Sequence, residues 1–246
     1  MLADPLALIR AAHFAATLLA SGTVFFAAFV IGPTRLPQTF PILRMHMNLL
    51  IWTALVASVL TGAMWLIWLA ANILGESLAE VCLHGGVWSV LADTRFGSIC
   101  GLRLVLAVFL GLLVLDPAQR VWPIAAAAAF LALPAFSSHA GAATGLRGDV
   151  HVVSDALHLL SAGAWLGGLP AFALLLWTAR RRQKPGGHDF TIAVTQRFSR
   201  LAAISVGTLL ATGIVNSWNL LGSPRDLWTT DYGLLISFKI GLLGAM

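Results

Sequence analysis

The stretch AAHFAATLLASGTVFF, residues 11–26, lies inside an apolar run that extends from about Pro5 to Ile31. An α-helix needs about 20 apolar residues to cross a bilayer, and this run exceeds that length. It has no basic n-region and no A-x-A cleavage site, so we read it as a retained membrane span and not as a signal peptide. His13 interrupts the run, and an ionisable side chain inside a span is costly and usually functional. The stretch therefore predicts a membrane helix that carries a functional histidine.

Six further apolar segments follow the first one. They lie at about residues 44–74, 97–115, 121–138, 151–179, 198–221 and 232–246. Only 10% of the residues are charged and the mean hydropathy is +0.87, whereas a soluble domain carries about a quarter charged residues. We predict an all-α fold, a polytopic membrane helix bundle with seven visible spans. Because the last segment is short for a span, we expect an eighth span beyond Met246.

The opening stretch has a counterpart later in the chain. ALHLLSAGAWLGGLPAF, residues 156–172, resembles it, and His158 aligns with His13. The second and sixth segments share a Thr-Gly pair, in SVLTG at 58–62 and LLATG at 209–213. The third and seventh segments share an aromatic-Gly-x5-basic pattern, in VWSVLADTRFGSICGLRLVL at 87–106 and LWTTDYGLLISFKIGLL at 227–243.

These pairs predict an internal repeat. We expect a first four-helix repeat over residues 1–138 and a second, incomplete repeat of three helices over 139–246, which together form one membrane domain. Four helices is an even number, so the two repeats are expected to run parallel, related by an axis along the membrane normal.

The lysines and arginines predict the orientation. The strongest basic cluster lies between segments five and six, at residues 180–200, and placing it in the cytoplasm puts nine of the 15 basic residues inside. The N-terminus is then periplasmic. The net charge of +5 is explained by cytoplasmic loops, so it does not indicate nucleic-acid binding.

Five titratable residues converge on the outer side in this topology. They are His13, His139, His151, Asp155 and His158. Spacings of four and three place residues 151, 155 and 158 on one helix face. Three of them also have a structural interpretation: His139 and His151 lie near the interface, where a solvated histidine needs no special purpose, and Asp155 is able to cap a helix start. For His13 and His158, inside the spans, function is favoured. As a set, imidazoles and a carboxylate suit copper, with zinc behind it in the affinity order.

Other polar residues are assigned less directly. Arg103 and Lys239 are expected to snorkel to the outer surface as anchors. Cys82 and Cys100 either pair in an oxidising compartment or remain two small buried thiols. His46 lies between two methionines at the expected cytoplasmic end. We interpret these residues as packing at the membrane interface, with His46 as a candidate exit site for the metal ion.

Two features of the apolar residues carry predictions of their own. Gly163 and Gly167 form a small-xxx-small face that permits close contact between helices. Several tryptophans near segment ends are expected to form the aromatic belt of the membrane interface. These are Trp88, Trp122, Trp177, Trp218 and Trp228. Motifs typical of nucleotide hydrolysis or nucleophilic catalysis are not found, so no enzyme is predicted.

The chain resembles the copper resistance protein D (CopD) family of bacterial inner-membrane proteins. The resemblance rests on SHAGAATG at 138–145, HVVSDALHLLSAGAWLGGL at 151–169, QRFSRLA at 196–202 and LWTTDYGLLISFKIGLL at 227–243. It implies an eight-helix protein that transports or handles copper at the periplasmic face, in contact with membrane lipid and beside a small periplasmic copper-binding protein of the CopC type. The family's histidine and aspartate positions map onto His139, His151, Asp155 and His158, and His13 joins them through the internal repeat.

The alternative is a haem-binding electron-transfer protein that resembles a membrane cytochrome b, with His13 and His158 as axial ligands. A purely structural membrane scaffold leaves these two histidines unexplained.

Overall fold

The computed structural model describes residues 5–32, 41–116, 119, 121–136, 146–181, 187–220 and 225–244. The described residues form helices and no strands, which confirms the all-α prediction. The α-helices are α1 (Pro5–Phe25), α2 (Pro41–Leu74), α3 (Leu78–Leu83), α4 (Gly86–Asp93), α5 (Arg95–Leu115), α6 (Val121–Ala132), α7 (Leu146–Ala162), α8 (Leu169–Arg181), α9 (Gly187–Leu220), α10 (Asp226–Thr229) and α11 (Asp231–Gly244). Helix α1 continues as a π-helix over Phe26–Ile31, α6 ends in a 3-10 turn over Leu133–Phe136, and a π-helix over Gly163–Gly167 leads from α7 towards α8.

Five of the helical runs are long and apolar enough to cross a membrane. They are Pro5–Ile31, Ile42–Leu74, Arg95–Leu115, Gly148–Arg180 and His188–Trp218. A shorter apolar helix, Val121–Phe136, occupies the position of the predicted fourth span. Helix α11 occupies the position of the seventh and has 14 residues. The helices therefore follow the predicted order of segments.

The outer surface of the bundle is apolar, as a lipid-facing surface must be. On α2, Leu49, Trp52, Val56 and Leu60 recur every three or four residues and are exposed, which is one stripe of a helix. The five tryptophans predicted for the aromatic belt are all exposed as well. Because α2 is apolar on every side, hydrophobic periodicity does not reveal which of its faces points inward.

The two halves of the chain meet where α1 crosses the π-helix of residues 163–167. A Cβ atom built on Gly22 would overlap the backbone of Gly163 and Gly167, and one built on Gly167 would overlap the carbonyl of Leu18. The backbones therefore touch directly, as the small-xxx-small spacing predicts. Each glycine is required here because there is no room for any side chain.

These contacts also fix the register of the two helices. Gly22 lies beside Gly167, and one turn further on the Phe26 and Phe172 rings are 6.2 Å apart, so the two helices run in the same direction. Nine residues before Gly22 and Gly167 stand His13 and His158. The two histidines therefore lie at the same level of the bundle, about 13 Å back along each helix.

Towards the C-terminal end of α1, an apolar cluster joins both halves. Phe26 packs edge-on against Phe198 at 5.6 Å, and Phe198 stacks on Phe172 at 4.7 Å. Such aromatic pairs stabilise a contact by about 0.5–1.5 kcal/mol beyond the area they bury. Arg197 donates a hydrogen bond to the Val30 carbonyl at 3.4 Å across the same junction.

Two short helices, α3 and α4, precede α5 and were not predicted. A capping box starts α3: the Glu80 amide donates to the Ser77 hydroxyl at 3.3 Å, and the Ser77 amide donates to the Glu80 carboxylate at 2.9 Å. Gly75 and Gly85, with φ of 69° and 78°, make the left-handed turns before α3 and α4. The Ser-x-x-Glu spacing is the signal in the sequence that would have located α3.

The helices α5 and α11 begin with the same cap. The Thr94 hydroxyl accepts from the Gly97 amide at 2.9 Å, and the Thr230 hydroxyl accepts from the Gly233 amide at 3.0 Å. Both glycines belong to the aromatic-Gly pattern shared by the third and seventh segments. The shared sequence pattern thus corresponds to a shared local structure.

Both cysteines are free thiols, so the disulfide alternative does not hold. Cys100 is half-buried, whereas Cys82 is exposed, which also corrects the expectation of two buried thiols.

Candidate metal centre

His13 is buried in the interior of the first half, between α1 and α2. Its Nδ1 atom lies 3.0 Å from the carbonyl oxygen of Ser58 and 3.2 Å from the hydroxyl oxygen of Thr61. A carbonyl oxygen only accepts hydrogen bonds, so in the neutral ring Nδ1 carries the proton and donates it. The Thr61 hydroxyl donates to the Ala57 carbonyl at 2.6 Å, which leaves its oxygen to accept from His13.

This tautomer leaves a lone pair on Nε2 of His13. That nitrogen is buried and has no hydrogen-bond partner among the described residues. Metal-binding histidines have this arrangement, since one ring N–H is held by an acceptor while the other nitrogen coordinates. His13 is thus held in the form that binds a metal.

His158 repeats the arrangement in the second half, between α7 and α9. Its Nδ1 atom lies 3.0 Å from the hydroxyl oxygen of Thr212. The Thr212 hydroxyl donates to the Thr208 carbonyl at 2.7 Å, so its oxygen accepts from Nδ1–H of the imidazole. The Ser154 hydroxyl donates to the Thr212 carbonyl at 3.3 Å and ties α7 to α9 at this level.

The two Thr-Gly pairs differ in how closely the glycine meets the ring. A Cβ atom at Gly62 would lie 3.1 Å from Cε1 of His13, which is tighter than an ordinary contact, whereas one at Gly213 would lie 3.9 Å from Cε1 of His158, an ordinary van der Waals distance. In each half the threonine orients the imidazole, and in the first half the glycine also makes room for it.

The surroundings of the two histidines differ. In the first half, the Thr17 hydroxyl donates to the His13 carbonyl at 2.8 Å and lies 3.1 Å from the Ser58 hydroxyl. Arg103 donates from Nη2 to the same Thr17 oxygen at 3.1 Å. Arg103 is only 5% exposed and its guanidinium lies 5.1 Å from the Phe130 ring centre.

The prediction that Arg103 snorkels to the surface is wrong. The physical reason is that its helix position faces the bundle and not the lipid, and a hydroxyl and an aromatic face are available there to receive the side chain. The side chain of Lys239 lies outside the described residues.

Aromatic rings cover His13 on the side of α5. The Trp65 ring lies 5.7 Å from the imidazole in an edge-to-face arrangement and 5.1 Å from the Phe96 ring. The Arg10 guanidinium stacks over Trp65 at 5.2 Å. This aromatic cover keeps the first histidine dry, which strengthens electrostatic interactions at Nε2.

The other predicted ligands are distributed as follows. His151 and Asp155 lie on α7, two turns and one turn before His158 respectively, and both are half-buried. His139 lies outside the described residues. Within the described part of the chain, no three His, Cys, Asp or Glu side chains are close enough together to hold one metal ion. Each membrane histidine faces the second helix of its own half.

Near the start of α2, the His46 ring packs against the Trp177 ring at 6.4 Å and Met47 is buried in the apolar cluster. Met45 is exposed, so the three consecutive side chains do not converge. This agrees with their interpretation as interface packing.

Sequence reasoning missed the polar network around His13. Thr17 and Ser58 form it with Arg103, and the sequence signal was available, since Thr17 follows His13 by four residues and lies on the same helix face.

Comparisons with known proteins give a consistent result. Residues 1–149 match the family model described as copper resistance protein D-like, N-terminal domain, and residues 192–246 match the model described as copper resistance protein D. The chain is similar to the inner membrane protein YebZ of Escherichia coli (strain K12), at 27% identity over 252 residues that cover 100% of this chain and 82% of the relative.

Two further relatives are similar over parts of their length. The copper transport protein CutJ of Bacillus subtilis (strain 168) is 29% identical over 95% of this chain and 43% of its own length. The copper resistance protein D of Pseudomonas syringae pv. tomato is 31% identical over 47% of this chain and 37% of its own length. The chain thus spans less than half of these two relatives. No solved structure matches it.

Proposed function

Because the chain belongs to the copper resistance protein D family, we propose that it binds copper ions in the outer half of the bacterial inner membrane and transports or hands them across. The family and the apolar helices make it a multi-pass membrane protein of copper resistance. The inner membrane as its location is supported by the name of the Escherichia coli relative.

The observation that carries the proposal is the pair of imidazoles held by threonines. In both halves Nδ1 donates to protein oxygens, and at His13 this leaves Nε2 with a lone pair and no partner among the described residues. Imidazole nitrogen suits copper in either of its common oxidation states. His13 and His158 form the membrane-embedded part of the proposed copper path, at one level of the bundle.

Residues nearer the outer surface form the proposed route by which the copper ion reaches His13 and His158. His139 and His151 receive the ion, and Asp155 provides negative charge or orients an imidazole. A periplasmic copper-binding protein of the CopC type is the proposed donor or acceptor, and membrane lipid surrounds the exposed apolar helices. The role is binding and transfer of the ion, and no catalytic residue is assigned.

The repeat boundaries and the orientation belong to the same proposal. The division into residues 1–138 and 139–246 is supported by the matching histidine–threonine hydrogen bonds and by the matching caps at Thr94 and Thr230. The periplasmic N-terminus places both histidines nearer the periplasm than the cytoplasm.

The test is a titration of the purified, detergent-solubilised protein with Cu(I) in competition with a coloured chelator. His13→Ala and His158→Ala are expected to weaken copper binding at least tenfold, because each removes a nitrogen ligand. His188→Ala is the matched control, since that side chain is exposed on the surface. Equal copper affinity in the wild type and both membrane-histidine variants would defeat the proposal.

Haem is the second candidate ligand, and one observation favours it. Two parallel helices carry histidines at the same level, each with Nδ1–H held by an acceptor, which also suits axial ligation of iron. A Soret band in the purified protein that disappears in His13→Ala would favour haem over copper.

A further inference from the structure

The positive charge of Arg103 lies close to His13 inside the bundle. Both side chains are only 5% exposed. Nη2 of Arg103 donates to the Thr17 hydroxyl at 3.1 Å, and that hydroxyl donates to the His13 carbonyl at 2.8 Å. A single hydroxyl group therefore separates the guanidinium from the backbone of the histidine.

The same network reaches the imidazole ring. The Thr17 hydroxyl lies 3.1 Å from the Ser58 hydroxyl, and the Ser58 carbonyl accepts from Nδ1 of His13 at 3.0 Å. The Trp65 ring, 5.7 Å from the imidazole, covers it on another side. Because protein atoms and not water fill this region, charges within it interact more strongly than they would at the surface.

The charge of Arg103 is permanent, since a guanidinium does not lose its proton in proteins. Its described contacts are the neutral Thr17 hydroxyl and the face of the Phe130 ring, whose centre lies 5.1 Å away. Within the described part of the chain, the one ion pair joins His188 to Asp189, so no carboxylate there pairs with Arg103. The positive field of Arg103 at His13 is therefore not offset by a described counter-charge.

We propose that Arg103 sets the copper affinity of His13, an inference that rests on the proposed function. A copper ion on Nε2 of His13 and the guanidinium carry like charges. At a separation of about 10 Å and an effective dielectric constant of about 20, such a repulsion weakens binding about 15-fold. His13 is then a weak site from which copper dissociates readily, and a transport path needs such a site because an ion that is bound too tightly does not move on.

The experiment measures copper affinity by competition with a coloured Cu(I) chelator, and copper release by mixing the loaded protein with excess chelator. Arg103→Gln removes the charge but keeps an N–H able to donate to Thr17, and Arg103→Met removes both. Both variants are expected to bind copper about tenfold more tightly and to release it more slowly. Arg103→Lys keeps the charge and should stay near the wild type. Arg95→Gln removes the same charge from an exposed position of α5 and is the matched control.

A gain in affinity separates the effect of charge from structural damage, since a damaged site binds copper more weakly. The gain should disappear when Arg103→Gln is combined with His13→Ala, because the ion has then lost its ligand beside the guanidinium. The inference is overturned if both neutral variants bind copper no more tightly than the wild type, if Arg103→Lys binds it as tightly as they do, or if the gain persists without His13. In each of these cases the proposed function stands. Absence of copper binding in the wild type and in every variant would overturn both.

Discussion

Replacing Gly167 by alanine tests the junction between the two halves. The new Cβ atom would fall on the Leu18 carbonyl of α1, which is backbone and has no rotamer by which to move away. The two helices must therefore separate locally, and overpacking of this kind costs about 1–3 kcal/mol. Because all of the strain arises between helices, the helical content of the protein should not change.

Gly207→Ala is the matched control, since a Cβ atom there meets nothing within 4 Å. In a helix interior, alanine is favoured over glycine by up to about 1 kcal/mol, and this gain applies to both variants and cancels in the comparison. The two variants should then differ by the overpacking cost of about 1–3 kcal/mol, which corresponds to about 2–12 °C in melting temperature for a domain of this size. Thermal unfolding in detergent, followed by size-exclusion chromatography, measures this difference. A Gly167→Ala protein as stable as Gly207→Ala would refute the direct contact of the backbones.

Three further predictions follow from the site, the topology and the short helices. Thr212→Val removes the acceptor that orients His158, so copper affinity in the chelator competition should fall about 10–100-fold, while Thr195→Val on the same helix should leave it unchanged; equal values would remove the orienting role. A periplasmic reporter enzyme fused at Gly187 should be inactive, whereas an active fusion would reverse the proposed orientation. The pKa of Glu80 lies below its ordinary value of 4.5 because of hydrogen bonds with Ser77, of which the one to the backbone has the larger effect and the one to the side chain the smaller. The charged Glu80 therefore stabilises α3 above that pH, and this stabilisation is lost as the pH falls through the lowered pKa. The protection factors of the α3 amides, which are exchange rates corrected for the intrinsic effect of pH, should fall on acidification in the wild type but not in Glu80→Gln, and the same fall in both would contradict the cap.

The order of the spans was predictable because each crosses a solvent that rejects polar residues. The first and last residues of the helices were less predictable, since α2 and α9 are both longer than their apolar segments. Arg44 and Asp189, near their starts, continue a helix as well as apolar residues do, since nothing there breaks it. The short helices α3 and α4 lie outside the apolar segments, where hydropathy carries no signal.

The candidate site was predictable in part. The equivalence of His13 and His158 followed from the repeat, and the structure places them at one level. The ring nitrogen that donates a hydrogen bond is determined by Thr61 and Thr212, which lie on the helices that face His13 and His158. Residue spacing along one helix does not specify such contacts between two helices. The burial of Arg103 could not be predicted. Because α5 is apolar on all sides, its sequence does not show which face points into the bundle and which faces the lipid.

The glycine contact between Gly22 and Gly167 also sets the order in which the protein assembles. The two residues are 145 positions apart, so at a synthesis rate of about 5–20 residues per second α1 waits about 7–30 s for its partner. The polar residues Thr17 and Ser21 do not wait for the second half, since Thr17 bonds to Ser58 and Ser21 donates to the Ala127 carbonyl. Helix α2 arrives early enough to cover His13. Closure of the glycine junction is therefore a late step of biogenesis, and before it the face of α1 around Gly22 is exposed to lipid or to the insertion machinery.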